Sequence, residues 1–182
     1  MPNFLTQPNS STCQSACISM ALCGETEADV YAVRGELMAM GEPGNPSVMA
    51  QYLKDRLGAE YNFEISASLS DIIGWLNAGE FLITHGWLTG SGHVIALRSV
   101  IPDMDTFGVK FEAWDPWSEF DFAEWRYPSD ASEGFRGSYS ALGLYAAAVV
   151  GESVDDARSI YRYGETHLDR KGAWVHRIRA EM

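Results

Sequence analysis

The sequence predicts an α+β protein, with helices first and a mostly antiparallel sheet after them, changing over near Gly79. Up to Gly79, apolar residues recur at helical spacing; beyond it come short runs rich in β-branched and aromatic residues. A cysteine marks the seam between a polar, turn-forming run and the first apolar helix, in QPNSSTCQSACISMALC (7–23).

The first helix is expected over Ser11 to Leu22. Ser11, Thr12, Cys13 and Gln14 fit S-x-x-Q, the capping-box pattern in which two side chains satisfy orphaned backbone donors, and this puts Cys13 in the first turn. Glu27 to Met40 is the second helix. Pro46 to Leu57 is the third, with Asn45 as cap and Pro46 just inside, and Ser70 to Leu76 is a short fourth. FLITHGW (81–87), HVIALRSVI (93–101) and VKFEAW (109–114) read as strands. The alanines of SALGLYAAAVV (140–150) favour helix while its unbroken apolar character also fits a buried segment; it is read as helix. SVDDARSIY (153–161) is a helix opened by Ser153, and GAWVHRI (172–178) a final strand. With no internal repeat and with Gly/Pro clusters only of turn length, residues 1–182 are expected to form one domain.

Composition excludes several classes of function. A formal charge of −12 argues against nucleic-acid binding, which needs clustered Lys and Arg to neutralise phosphates. Carboxylates concentrate between Asp103 and Glu133, and cations in the tail from Arg158 to Arg179; both read as solvated surface. No apolar run is long enough to cross a bilayer and the N-terminus lacks a basic, apolar signal segment, so the expected place of synthesis is the cytoplasm, with any action on a cell wall following release. The three cysteines, an odd number within eleven residues, are expected to be free thiols. Cys13 and Cys17 lie one turn apart, but no second close pair follows at zinc-site spacing and no H-E-x-x-H or phosphate-binding glycine loop occurs, so neither metal nor cofactor is expected.

A cysteine in the first turn of a helix faces outward-pointing N–H groups and the positive end of the macrodipole, which stabilise its thiolate. Cys13 is therefore a candidate nucleophile, whereas Cys17 and Cys23, flanked by Ile18, Met20, Ala21 and Leu22, read as core thiols. A nucleophilic thiolate needs a base and a group that orients the base. Of the histidines, His93 follows the turn TGSG and opens a strand, which puts its ring at a strand end beside a loop. His85 reads as a structural histidine, His167 as exposed, and His176 as a semi-buried minor candidate. Asp115 ends the strand VKFEAW before Pro116, and counting by two from Val109 through Phe111 and Ala113 turns it inward, where it would want an imidazole partner. Its alternative role is capping the D-P-W turn. Gln7, six residues before Cys13, offers an amide that can fold back over the helix start beside the Cys13 N–H to stabilise an oxyanion.

Taken in order, Q-x5-C at the start of the first long helix, G-H at a strand start and D-P at the next strand's end resemble papain-fold cysteine peptidases of the bacteriocin-leader-processing (double-glycine peptidase-like) group. ITHGWLTGSGHVIAL (83–97) and WDPWSEFD (114–121) look most like its soluble, phage- and bacteria-borne branch. The resemblance covers roughly residues 5–122, leaving 123–182 as a C-terminal extension of the same domain. It implies a papain-like fold with Cys13 as nucleophile, His93 as base, Asp115 as orienter and Gln7 at the oxyanion. Members commonly carry Gly-Pro after the nucleophile, where this chain has Gln14 and Ser15.

The function this implies is hydrolysis of amide bonds, with peptidoglycan peptides as the expected substrate of a compact phage-type lysin, endopeptidase or amidase. A protease or isopeptidase acting on a protein would use the same site. A catalytically idle papain-like binding module is the third reading, with the acidic aromatic stretch WDPWSEFDFAEW (114–125) as its surface; packing around the site is the alternative account of those aromatics.

Overall fold

The computed structural model describes residues 2–103, 108–128, 133–148, 153–163 and 171–179. These form one six-stranded sheet, in the order β1-β6-β2-β3-β4-β5, in which every neighbouring pair is antiparallel. The strands are β1 (Tyr61–Ala67), β2 (Phe81–Gly86), β3 (His93–Asp103), β4 (Gly108–Asp115), β5 (Phe135–Ser140) and β6 (Ala173–Ile178). The α-helices are α1 (Cys13–Ala21), α2 (Glu27–Met40), α3 (Pro46–Leu57), α4 (Leu69–Asn77), α5 (Ala141–Ala148) and α6 (Val154–Tyr163). The α+β class follows directly.

Helices cover both faces of the sheet. On one face Ile83, Val94, Ala96 and Trp114 pack with Ile18, Val33 and Leu53 of α1, α2 and α3. On the other, Leu82, Ile95, Leu97 and Phe111 pack with Ile72, Leu144 and Ile160 of α4, α5 and α6. Burial from both sides explains why the central strands read as continuous apolar runs, a pattern that alternation would have broken had one face met water. Helix α1 is buried all round, from Gln14 to Ala21, and its small and apolar residues lack a polar stripe for that reason.

The cap expected at Asn45 is present: its side chain accepts from the Ser47 N–H, with Pro46 as the first helical residue. The capping box expected at Ser11 is not. The N-cap of α1 is Thr12, whose hydroxyl donates to the Asn9 carbonyl, while Gln14 Nε2 donates to the Ser11 carbonyl. Asn9 Oδ1 takes the backbone N–H and the hydroxyl of Ser11, so Ser11 belongs to the preceding turn and Cys13 becomes the first helical residue.

The stretch before Gly79 is not wholly helical. YNFEISA forms β1 between α3 and α4, because Tyr61 and Phe63 alternate with outward Asn62 and Glu64 and find a partner in β6. Strand β5, FRGSYS, also lies outside the runs expected from composition. Most informative is β6, which comes last in the chain yet sits between β1 and β2. Arg177 holds it there, donating from Nε and Nη2 to both carboxylate oxygens of Glu80 at 2.9 Å and from Nη1 to Glu64 at 3.1 Å. The C-terminal extension is thus integral to the sheet.

Candidate active site

Cys13 is half-buried at the N-terminus of α1, where the helix geometry leaves the first N–H groups without intrahelical acceptors. Arg34 of α2 braces the turn before it, donating from Nη1 to the Ser11 carbonyl at 2.7 Å. His93 opens β3. The preceding turn closes through the Gly92 N–H on the Thr89 carbonyl and the Thr89 hydroxyl on the Gly92 carbonyl, with Gly92 at φ +77°. Across the ladder from His93 stands Gly86, where Ala147 of α5 passes so close that a Cβ would meet its atoms at 3.2 Å. That packing needs glycine.

Asp115 ends β4, is fully buried, and turns inward as the alternation requires. Its Oδ1 lies 2.8 Å from His93 Nε2 and accepts the Trp117 N–H at 2.9 Å; its Oδ2 accepts the Tyr127 hydroxyl at 2.6 Å and lies 3.1 Å from the Tyr139 hydroxyl. The turn role and the imidazole-partner role are therefore both present, on one oxygen. Tyr139 also donates toward the Ser118 carbonyl at 3.0 Å, so its single proton is shared, and it accepts the Phe120 N–H. Tyr127 sets its ring edge-on to His93, centroids 5.4 Å apart.

With Nε2 engaged by Asp115, Nδ1 is the His93 nitrogen left for Cys13, and the thiol and the ring act on each other as hydrogen-bonding and electrostatic partners. Burial opposes charge on both groups, yet for each it is outweighed. The Cys13 thiol is held below its ordinary value by the His93 hydrogen bond and charge, helped by the N–H groups of Val94 and Gln14. His93 is raised to about 10 by the Asp115 charge and hydrogen bond and by Cys13. The thiolate and the imidazolium thus stabilise one another across the pair.

The remaining expectations divide. Gln7 is buried in the same corner, with its backbone N–H on the Pro116 carbonyl and its Nε2 on the Asn9 carbonyl at 2.8 Å; its Oε1 is buried without a partner, and the residue does not line the cleft. Cys17 is a core thiol, donating to the Val94 carbonyl. Cys23 is not: it follows the helix end at φ +60° and is exposed, because the chain has already turned away from the core there. His176 is fully buried rather than semi-buried, and its Nε2 lies 2.9 Å from Nε2 of His85. His167 lies outside the described residues. The aromatics of 114–125 pack inward: Phe120 and Trp125 are buried, and the Trp125 indole donates to the Trp87 carbonyl.

Sequence reasoning missed Gln14, Tyr127 and Tyr139. Gln14 is the residue standing where the resembled family commonly has glycine; its Oε1 lies 3.3 Å from the Cys13 sulfur. The signal for the two tyrosines was a buried carboxylate with more acceptor sites than one imidazole fills.

Beside Cys13 and His93 opens a cleft of about 800 Å³, in the range of small-ligand and peptide sites. Its walls include Pro43 and Pro46 around the α2–α3 connection, Trp87 and Ala147, and Ile65, Trp174 and His85 of the sheet. Among the described residues no group of three or more His, Cys, Asp or Glu is placed to hold a metal ion, and no helix is long and apolar enough to cross a membrane. Compared with known proteins, the chain matches no family model and no curated protein.

Proposed function

We propose that this chain is a papain-like cysteine hydrolase that opens amide bonds. The observation that carries the reading is the chain of contacts from Cys13 at a helix N-terminus through the His93 ring to the buried, fully hydrogen-bonded Asp115. In this mechanism the Cys13 thiolate attacks the substrate carbonyl carbon, and the carbonyl π electrons move to oxygen. The oxyanion meets the Cys13 N–H at the start of α1; Gln7 would join it only by releasing the Asn9 carbonyl and turning its amide into the cleft. Imidazolium His93 gives its Nδ1 proton to the leaving amine, the C–N bond breaks, and a thioester remains. Neutral His93 then takes a proton from water, hydroxide attacks the thioester, and the carboxylic acid and thiolate are released. Asp115 holds the ring in place and balances the imidazolium without taking the proton.

The resemblance points to peptidoglycan peptides as substrate. The cleft favours the other reading, a polypeptide with a bulky apolar side chain, because Ile65 and Trp174 stay 65% and 46% exposed where they line it. Peptidoglycan stems carry small, acidic and diamino side chains, which such walls do not reward.

The test offers sacculi and a panel of unfolded proteins to the wild-type chain and to Cys13→Ala, reading released fragments by mass spectrometry. Cysteine-dependent release from proteins, cut beside large apolar residues, is the expected result. Release from sacculi alone would restore the lysin reading, and fragments produced equally by Cys13→Ala would end the cysteine-hydrolase proposal.

A further inference from the structure

A second imidazole site lies on the sheet beside the triad. His85 is one residue along β2 from Gly86, the residue paired with His93, and is itself paired with Val94. It therefore shares the sheet face of Val94, opposite to the face of His93, and its half-buried ring lines the cleft. Behind it, His176 Nε2 is 2.9 Å from His85 Nε2, and His176 Nδ1 is 2.7 Å from the Tyr61 hydroxyl. Phe63 stacks on His176 at 4.5 Å between centroids and fixes that ring.

This relay has a direction. Tyr61 is buried, and burial raises its pKa, so it keeps its proton. Among the described residues the phenol has no hydrogen-bond partner besides His176 Nδ1. If Nδ1 carried a proton, the buried phenol proton would be left without an acceptor, a loss the opposite arrangement avoids. Tyr61 therefore donates to Nδ1, His176 carries its proton on Nε2, and that N–H donates to His85 Nε2. Neutral His85 must then hold its own proton on Nδ1. Among the described residues His85 has no hydrogen-bond partner besides His176, so this N–H is left for something in the cleft. The same cleft is lined by two exposed apolar side chains, Trp174, T-shaped to His85 with ring centroids 6.3 Å apart, and Ile65.

We infer that His85 is a peptide-binding residue: its Nδ1–H donates to a backbone carbonyl of a peptide whose bulky apolar side chain lies against Trp174 and Ile65. The substrate role rests on the hydrolase reading above; the relay and the cleft stand without it. Tyr61 and His176 are positioning residues, acting only through the tautomer they impose on His85.

The test uses the full chain carrying Cys13→Ala, which binds without turnover, and capped hexapeptides differing at one position among Phe, Leu and Ala. Expected is tighter binding of the Phe and Leu peptides. His85→Leu should weaken them about tenfold, the loss of one buried hydrogen bond. His85→Asn, whose amide nitrogen stands near the place of Nδ1, should restore most of the loss, and Trp174→Ala should erase the preference over Ala. In ¹⁵N-histidine NMR spectra His85 should be protonated on Nδ1 and His176 on Nε2, with Tyr61→Phe mixing the tautomers. Unchanged binding by His85→Leu, or a bare Nδ1 on His85, overturns the inference. Parallel assays with Cys13 intact separate the two proposals. Cleavage indifferent to His85→Leu leaves the hydrolase and removes this site. His85-dependent binding with no cleavage of any peptide leaves this site as a peptide-binding one and removes the hydrolase.

Discussion

His93 and His85 lie on neighbouring strands, the first buried and the second half-buried in the cleft wall, and each has Nε2 within hydrogen-bonding distance of one partner, at 2.8 Å and 2.9 Å. Burial pushes both toward the neutral form, and His85 follows it, down to about 4. His93 goes the other way, to about 10, because the atom facing its Nε2 is a carboxylate oxygen and its other nitrogen is left for the Cys13 thiol, whose own pKa is lowered by the same pairing. The partner, and not the depth, decides the charge. One imidazole is thereby set up to give a proton and the other to hold one in place.

The largest expected effect comes from breaking the first pair. Asp115→Asn keeps the shape but removes the charge that holds His93 protonated, and turnover should fall by roughly a thousandfold or more. Cys13 alkylation should shift toward the behaviour of an ordinary thiol in the same variant. A fall in turnover with unchanged thiol reactivity would contradict the electrostatic account and leave only loss of geometry.

Next is the converse substitution, which sharpens the comparison. His176→Glu puts a carboxylate where His85 now meets a neutral ring, and the His85 pKa, followed by NMR titration, should rise from about 4 to above its ordinary value. If it stays low, depth alone governs that site.

Stability should carry the same contrast in its pH dependence. His85 is about 4 folded and near 6.5 unfolded, so between those values the unfolded chain holds the extra proton and stability rises with pH; His176, also lowered, adds to the same slope. His93 is about 10 folded, so its contribution is complete below 6.5 and is lost as pH rises through 10. Denaturant midpoints measured from pH 4 to 10.5 should therefore climb on the acid side and drop on the alkaline side. Replacing His85 by Asn should flatten the acid limb and leave the alkaline one. A smaller effect is expected from Tyr127→Phe, which removes one of the donors to Asp115: about 1–2 kcal/mol of stability by chemical denaturation.

How much of this was legible in the sequence depended on whether the signal was local. Asn45 with Pro46, the turn before His93 and the alternation into Asp115 are each written within a few residues, and the structure places all of them as read. The alternation of Tyr61 and Phe63 in β1 was just as local but too short to stand out. What could not be seen was long-range: β6 arriving from residue 173 to fill the gap between β1 and β2, and Tyr127 and Tyr139 arriving from beyond the resembling region to cap the Asp115 carboxylate. His85 and His176 illustrate the same limit. From the sequence His85 reads as structural and His176 as a semi-buried minor candidate, and only the β2–β6 pairing, which aligns Ile83 with His176, brings the two rings together.

The central claim is that Cys13 is a thiolate paired with imidazolium at neutral pH. Its most direct test is the rate of Cys13 alkylation by iodoacetamide from pH 4 to 10, located by peptide mass spectrometry so that exposed Cys23 serves as the internal reference. Cys13 should react faster than Cys23 on the acid side of the range, with its rate changing again near pH 10 as His93 loses its proton. A Cys13 profile that follows Cys23, or lies above it, would contradict the ion pair and with it the hydrolase.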